Sequence, residues 1–238
     1  MSDKAAEGER LAKRVAALRA CSRSDAERLI EGGWVLVDGV VVTEPAHRVH
    51  PTQAVDVDPE AQPMLLQPVT LVWHKPVGVA LQDDQPLTGL LEPGAPLLPW
   101  HVKHLRCASP MPREASGLAL FVQDPRVLRK LRDEGPLLEH EWMLDLAGST
   151  STEQTQTLLQ TTEMLGPKAC GKLSTSSQNE QRTRLRLAAK AYDPQALPRW
   201  LASAGVDAKT IHRLRLGRAA LGQLPEGAWR VLGPHERV

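Results

Sequence analysis

The sequence predicts an α+β protein: a small helix–helix–hairpin domain over 8–58, a linker over 59–68, and a larger mixed-sheet domain over 69–238. Three observations lead there. The first quarter of the chain joins two short amphipathic helical patterns to β-rich runs around Asp38-Gly39, the strongest short-range hairpin signal. The stretch Asp58–Pro68 holds three prolines and few structure formers. Beyond it, strand-like and helix-like segments mix without a regular strand–helix–strand beat, which favours α+β over a doubly wound sheet.

The elements follow in order. Leu11, Val15 and Leu18 share one face of a helix over Arg10–Leu18. Ser22 or Ser24 caps a second helix, with Ser24 and Glu27 at capping-box spacing and Gly32-Gly33 at its end. Two strands flank Asp38-Gly39, and Ala54–Val57 adds a third. In the larger domain, strands are expected at Val69–Trp73, Gly117–Val122, Glu141–Leu146, Arg182–Ala188 and Ile211–Leu216. Helices are expected at Arg126–Asp133, within Ser149–Gln160 and at Leu197–Ala204, and Leu221–Leu232 closes the chain.

Composition narrows the function classes. The 238 residues suffice for a small and a medium domain with a real core. Cys21, Cys107 and Cys170 are odd in number and far apart, with no CxxC pair, which argues against a disulfide framework or a zinc site. His101, His104 and Cys107 lack a fourth ligand at metal spacing and read as loop residues. Met1–Arg14 has no apolar leader, and no segment approaches the ~20 apolar residues of a membrane span. The expectation is a cytoplasmic monomer without a membrane partner. The net charge of +1 says nothing about polyanions, so charge must be sought locally. It is found in two places. Arg10, Lys13, Arg14, Arg19, Arg23 and Arg28 face only Asp25 and Glu27, and on two successive helices they can form one cationic face. Toward the C-terminus, Arg182, Arg184, Arg186, Lys190, Arg199, Lys209, Arg213, Arg215 and Arg218 face only Asp193 and Asp207.

Arg10-Leu11-x-Lys13, then Cys21-Ser22-Arg23-x-x-Ala26-x-x-Leu29-Ile30-x-x-Gly33-x-Val35-x-Val37-Asp38-Gly39, resembles the S4-type RNA-binding domain. Ser24 departs from the pattern, which usually has a second basic residue there. Four further stretches run in order through the larger domain: His74-Lys75-Pro76-Val77-Gly78, Ser116–Phe121, Glu139–Leu144, and Arg213–Gly217 with Leu224–Arg230. They resemble the catalytic domain of the bacterial ribosomal-RNA pseudouridine synthases that carry an S4 domain in front. The resemblance implies an RNA partner, ribosomal RNA in the first instance, and chemistry that needs no metal or cofactor. It makes Arg10, Lys13, Arg14, Arg23, Lys75, Arg213 and Arg215 candidate RNA contacts.

The same resemblance exposes three departures. In the family a carboxylate attacks the sugar of a flipped-out uridine or removes a sugar proton. Aligned on Ser116-Gly117-Leu118, the family's Gly-Arg-Leu-Asp falls on Ser109-Pro110-Met111-Pro112, so Pro112 stands at the catalytic aspartate position. The tyrosine that stacks on the base is matched by Trp142, which has an N–H and no hydroxyl. The loop Ala191–Gln195 places Asp193 at an arginine position, a reversal of charge. The expectation is a protein that kept the fold and lost the reaction. The alternative is an active isomerase with a relocated carboxylate, for which Asp83, Asp84 and Glu114 are the candidates.

Overall fold

The structure is a computed structural model that describes residues 8–63, 68–87, 104–233 and 235–236. The chain divides into two compact units, parting in sequence between Pro68 and Val69.

In the first unit, β1 (Glu9–Arg10) leads into α1 (Leu11–Arg19), and α2 (Arg23–Glu31) follows. Arg10 is extended and pairs with β4, so α1 starts one residue later than its apolar spacing suggests. Ala20 ends it in the left-handed region. The cap of α2 is Ser22, whose Oγ accepts from Asp25 N–H at 3.1 Å; the Ser24–Glu27 box is not used, because Ser24 already lies inside the helix. β2 (Val35–Val37) and β3 (Val40–Val41) form the hairpin, with Asp38 and Gly39 both at positive φ as a type I′ turn requires. β4 (Arg48–Val49) pairs with β1, and β5 (Val55–Val57) pairs with β2. Leu11, Val15, Ala26, Leu29, Ile30, Val35 and Val49 make the core. Ala61 joins that core, and Arg19 donates to the carbonyls of Asp58, Pro59 and Ala61. The first half of the expected linker therefore packs on this unit; its residues 64–67 lie outside the described residues.

The second unit is built on one mixed sheet. Its strands are β6 (Thr70–Lys75), β7 (Arg106–Cys107), β8 (Ala115–Val122), β9 (His140–Ala147), β10 (Cys170–Gln178), β11 (Arg182–Lys190), β12 (Ala208–Leu216), β13 (Ala219–Ala220) and β14 (Trp229–Val231). The order across the sheet is β10-β11-β9-β12-β8-β6-β14, with β7 on β8 and β13 on β12. Only β12 and β8 run parallel among these pairs. The helices are α3 (Pro125–Glu134), α4 (Thr152–Gln160) and α5 (Leu197–Ser203). α4 is entered through a Ser151–Gln154 capping box, and Trp200 of α5 donates its Nε1–H to Leu158 O of α4 at 3.1 Å. Two features fix the centre of the sheet. β8 is apolar and buried on both faces, and Gly117 lets it lie against β12, where a Cβ would stand 2.3 Å from Arg213 O. The long strand β10 has no counterpart among the strands the sequence announces: it is polar and exposed on both faces, so neither alternation nor an apolar run marks it.

Candidate active site

The loop that carries the aspartate position in the resembled enzymes runs antiparallel to the segment after β6. Gly78 N–H donates to Arg113 O at 2.8 Å, Leu81 and Met111 exchange bonds at 2.9 and 3.0 Å, and Asp84 N–H donates to Cys107 O at 3.0 Å. Two buried cations tie this loop to the sheet. Arg213 donates from Nε to Leu118 O at 2.6 Å, from Nη2 to Ser109 O at 2.9 Å and from Nη1 to Pro110 O at 3.4 Å. Lys75 Nζ donates to Pro76 O at 2.9 Å and to Ala115 O. Burial, then the charge of Arg213, lowers the Lys75 ammonium to about 8.

Beside this loop lies a cavity of about 610 Å³. Its polar lining includes Asp83, Ser109, Arg132, His140, Lys168, Tyr192 and Asp193, with Pro110 among the apolar groups. Under it, Arg213 stacks its guanidinium 5.1 Å from the ring centroid of Trp142. Trp142 Nε1–H donates to Tyr192 Oη at 2.5 Å, and Tyr192 Oη lies 2.9 Å from His140 Nδ1. Burial and the charge of Arg213 hold His140 at about 3, so its ring is neutral near pH 7. Tyr192 then donates its hydroxyl proton to Nδ1, leaving the imidazole proton on Nε2. Burial pushes the Tyr192 phenol upward, so it remains a neutral hydroxyl.

The residues singled out in the sequence separate into groups. Pro112 is buried, starts the turn that Ala115 N–H closes, and does not line the cavity. Glu114 is exposed in that turn and does not line it either. Asp83 does, while Asp84 does not, and one arginine binds both: Arg132 donates to Asp83 at 2.8 Å and to Asp84 at 3.2 Å. Asp193 lines the cavity and accepts Gln195 N–H at 2.9 Å. Trp142 is fully buried beneath Tyr192 instead of facing the cavity as a stacking platform. Lys75 and Arg213 are corrected as direct RNA contacts: both are fully buried, with their donors on backbone carbonyls. Arg215 is half-buried and held by Glu139 and Glu141 at 2.6 and 3.0 Å. In the first unit Arg10 is exposed, Lys13 and Arg14 share Glu9, and Arg23 pairs with Glu27 at 3.0 Å. His101 lies outside the described residues. Among the described residues no three His, Cys, Asp or Glu side chains gather as metal ligands.

Tyr192 and His140 were not among the residues expected to form the site. The available signal was that Tyr192 is the chain's single tyrosine and sits beside Asp193.

Comparison with known proteins gives these shapes a family context. Residues 9–55 match the S4 domain family. Ribosomal small subunit pseudouridine synthase A of Pseudomonas aeruginosa is 29% identical over 245 residues, covering 95% of this chain and 98% of that protein. Uncharacterized RNA pseudouridine synthases of Rickettsia typhi and Rickettsia felis are 33% and 35% identical over 79 and 80 residues. The chain spans about a third of the length of these Rickettsia relatives in the matched segment. A crystal structure of a pseudouridylate synthase shares the fold, with a TM-score of 0.55 at 19% identity, over 95% of this chain and 97% of that one.

Proposed function

We propose that this chain, which belongs to the RNA pseudouridine synthase family and carries an S4 domain at its front, binds ribosomal RNA without isomerising its uridines. In this reading 8–58 is the RNA-gripping domain, 59–68 a linker, and 69–238 a domain that retains the synthase fold in a cytoplasmic monomer. The observation that carries the proposal is Pro112. The reaction needs a carboxylate that reaches the ribose, and proline supplies neither charge nor nucleophile at that position. The carboxylates that do line the cavity are engaged: Asp83 with Arg132, and Asp193 with the backbone N–H of Gln195. Asp193 also places negative charge in the cavity wall at the position where the resembled enzymes carry an arginine, in a lining whose cations are Arg132 and Lys168.

Arg10, Lys13, Arg14 and Arg23 are the proposed phosphate contacts of the front domain. The pairs of Lys13 and Arg23 with Glu9 and Glu27 are solvent-exposed. Such pairs are worth about 0–1 kcal/mol and exchange readily for phosphate. The alternative, an active isomerase, draws on one observation: Asp83 lies at the cavity wall.

One experiment on the full chain separates the two. RNA affinity is titrated at several salt concentrations, and single-turnover tritium release is followed from carbon-5-tritiated, unmodified ribosomal RNA. The expected result is salt-dependent binding with no release, in the wild type and in Pro112→Asp alike. Reversing Arg10, Lys13 and Arg23 to Glu should weaken binding and reduce the salt slope by about 2 or more. Release proportional to enzyme, abolished by Asp83→Asn, would establish the alternative. Absence of RNA binding would remove the proposal altogether.

A further inference from the structure

The second cationic stretch of the sequence takes no part in the cavity. Along β11 the odd positions Thr183, Leu185, Leu187 and Ala189 are buried, while Arg182, Arg184 and Arg186 project from the other face. Directly paired residues of antiparallel strands point to the same side of a sheet. That side therefore also carries Lys172, Ser174 and Ser177 of β10, Glu141, Met143 and Asp145 of β9, and Thr210 and His212 of β12. Trp142, beneath the cavity, points to the opposite side, because successive residues of a strand alternate.

The charges on this face are arranged in an unusual ratio. Asp145 receives Arg184 at 2.8 Å, Arg182 at 3.0 Å and the Thr210 hydroxyl at 3.1 Å. Glu141 receives Arg186, and Arg215 at 3.0 Å. Each carboxylate is nearly covered, at 11% and 9% exposure, while Arg182, Arg184 and Arg186 remain open to solvent at 51%, 40% and 54%, and Arg215 is half-buried. Arg182 and Arg184 on the one carboxylate of Asp145 leave one positive charge uncompensated, whereas Glu139 and Glu141 together balance Arg186 and Arg215. With Lys172 and Lys190 the face presents six cations against the carboxylates of Glu139, Glu141 and Asp145.

Arg182, Arg184 and Arg186 stand at every second residue of one strand, so they repeat about every 7 Å. That is close to the step between neighbouring phosphates of an extended nucleic-acid strand. The buried carboxylates fix the forks in position, so less side-chain freedom is lost when an anion binds them.

We infer that the arginine face of β11, β9 and β12, on the side of the sheet opposite the cavity, is a second RNA-docking surface that grips the phosphate backbone. The assignment rests on the reading above that the chain binds RNA. Its occupant is set by charge complementarity: a regular row of fixed, solvent-exposed arginine forks with a net positive charge, beside serine hydroxyls, matches a repeating anion.

The test uses the full-length protein with Arg182→Gln and Arg186→Gln combined. Asp145 then keeps Arg184 and Thr210, and Glu141 keeps Arg215, so no buried carboxylate is orphaned. Binding of a labelled stem–loop from ribosomal RNA is titrated across salt. The salt slope should fall by about 1.4–1.8, corresponding to two lost phosphate contacts. The corresponding Arg→Lys double variant should keep most of that slope. If the double variant proves unfolded in a thermal melt, Lys172→Gln with Lys190→Gln carries the same test. An unchanged slope, while reversal of Arg10, Lys13 and Arg23 still weakens binding, would overturn the inference and leave RNA binding standing. An unchanged RNA slope with lost binding to polyglutamate would assign the face to an acidic protein and equally overturn it. No RNA binding by the wild type would defeat both readings.

Discussion

Tyr192 brings a hydroxyl to the wall of a cavity whose neighbouring strand position, 142, carries a tryptophan without one. The two residues lie fifty positions apart and meet only because β9 and the loop after β11 fold together. That explains why Trp142 could be singled out from the sequence and its partner could not: no local pattern announces a contact of that span. His140 completes the chain and gives it a measurable signature. Its native value of about 3 lies below the ordinary 6.5, because burial and Arg213 disfavour the imidazolium. Below pH 6.5 the unfolded chain takes up a proton that the native state refuses until about pH 3. Stability contributed by the neutral ring is therefore full above pH 6.5 and is lost as pH falls through that window. His140→Gln keeps an acceptor for Tyr192 and has nothing to titrate, so its acid limb should be shallower by one proton, about 1.4 kcal/mol per pH unit at most. Thermal melts between pH 3 and 7 make the comparison. Parallel limbs for the two proteins would disprove the assignment.

The elements divide by how they satisfy their backbone and bury their side chains. β8 was legible because an unbroken apolar run has few other uses, and β11 because Arg and Leu alternate along it. β10 was not, since its one partner, β11, stabilises it through the ladder while its own side chains stay wet. The cap of α2 was legible as a serine but not as which serine, a choice made by the extended backbone of Ser22. The contact between β8 and β12 is the element pairing most sensitive to a single atom. Gly117 has φ +106 and no room for a Cβ, whose nearest neighbours would be backbone atoms of Arg213 at 2.3 and 2.7 Å. Gly117→Ala should cost about 2–3 kcal/mol. In a unit of this size the midpoint should drop by roughly 5–10 °C. Calorimetry on the full chain decides, and a midpoint within a degree of wild type would show that the strands move apart at no cost.

Across the whole chain, a net charge near zero conceals segregation. The front helices and the exposed side of β11 are cationic, while the cavity sets Asp83 and Asp193 against Arg132 and Lys168. The sequence announced both cationic stretches and the α+β class. It could not reveal that Lys75 and Arg213 had been drawn inward, because a charged residue in an apolar run reads as exposed until the carbonyls that hold it are seen. Nor could it reveal that Asp83 and Asp84 share one arginine on α3. The expectation that matters most for function, proline in place of a nucleophile, is a statement about one residue type and needed no fold to be made.

The central position of β12 also sets an order in time. A ribosome delivers β6 and β8 early and β9 to β11 next, yet the strand that joins these two halves is among the last to emerge. Until then each half ends in an open edge, the kind of surface that recruits other chains. The same late strand brings Arg213, so the loop of Ser109 and Pro110 gains its anchor only when synthesis is nearly over. The front unit has no such wait. Stalled nascent chains ending at Asp207 should therefore resist protease through about residue 61 and be cut freely beyond it. Chains extended past Leu216 and free of the tunnel should be protected throughout the sheet. Protection of β8 and β9 before β12 exists would show that the halves assemble without the strand between them.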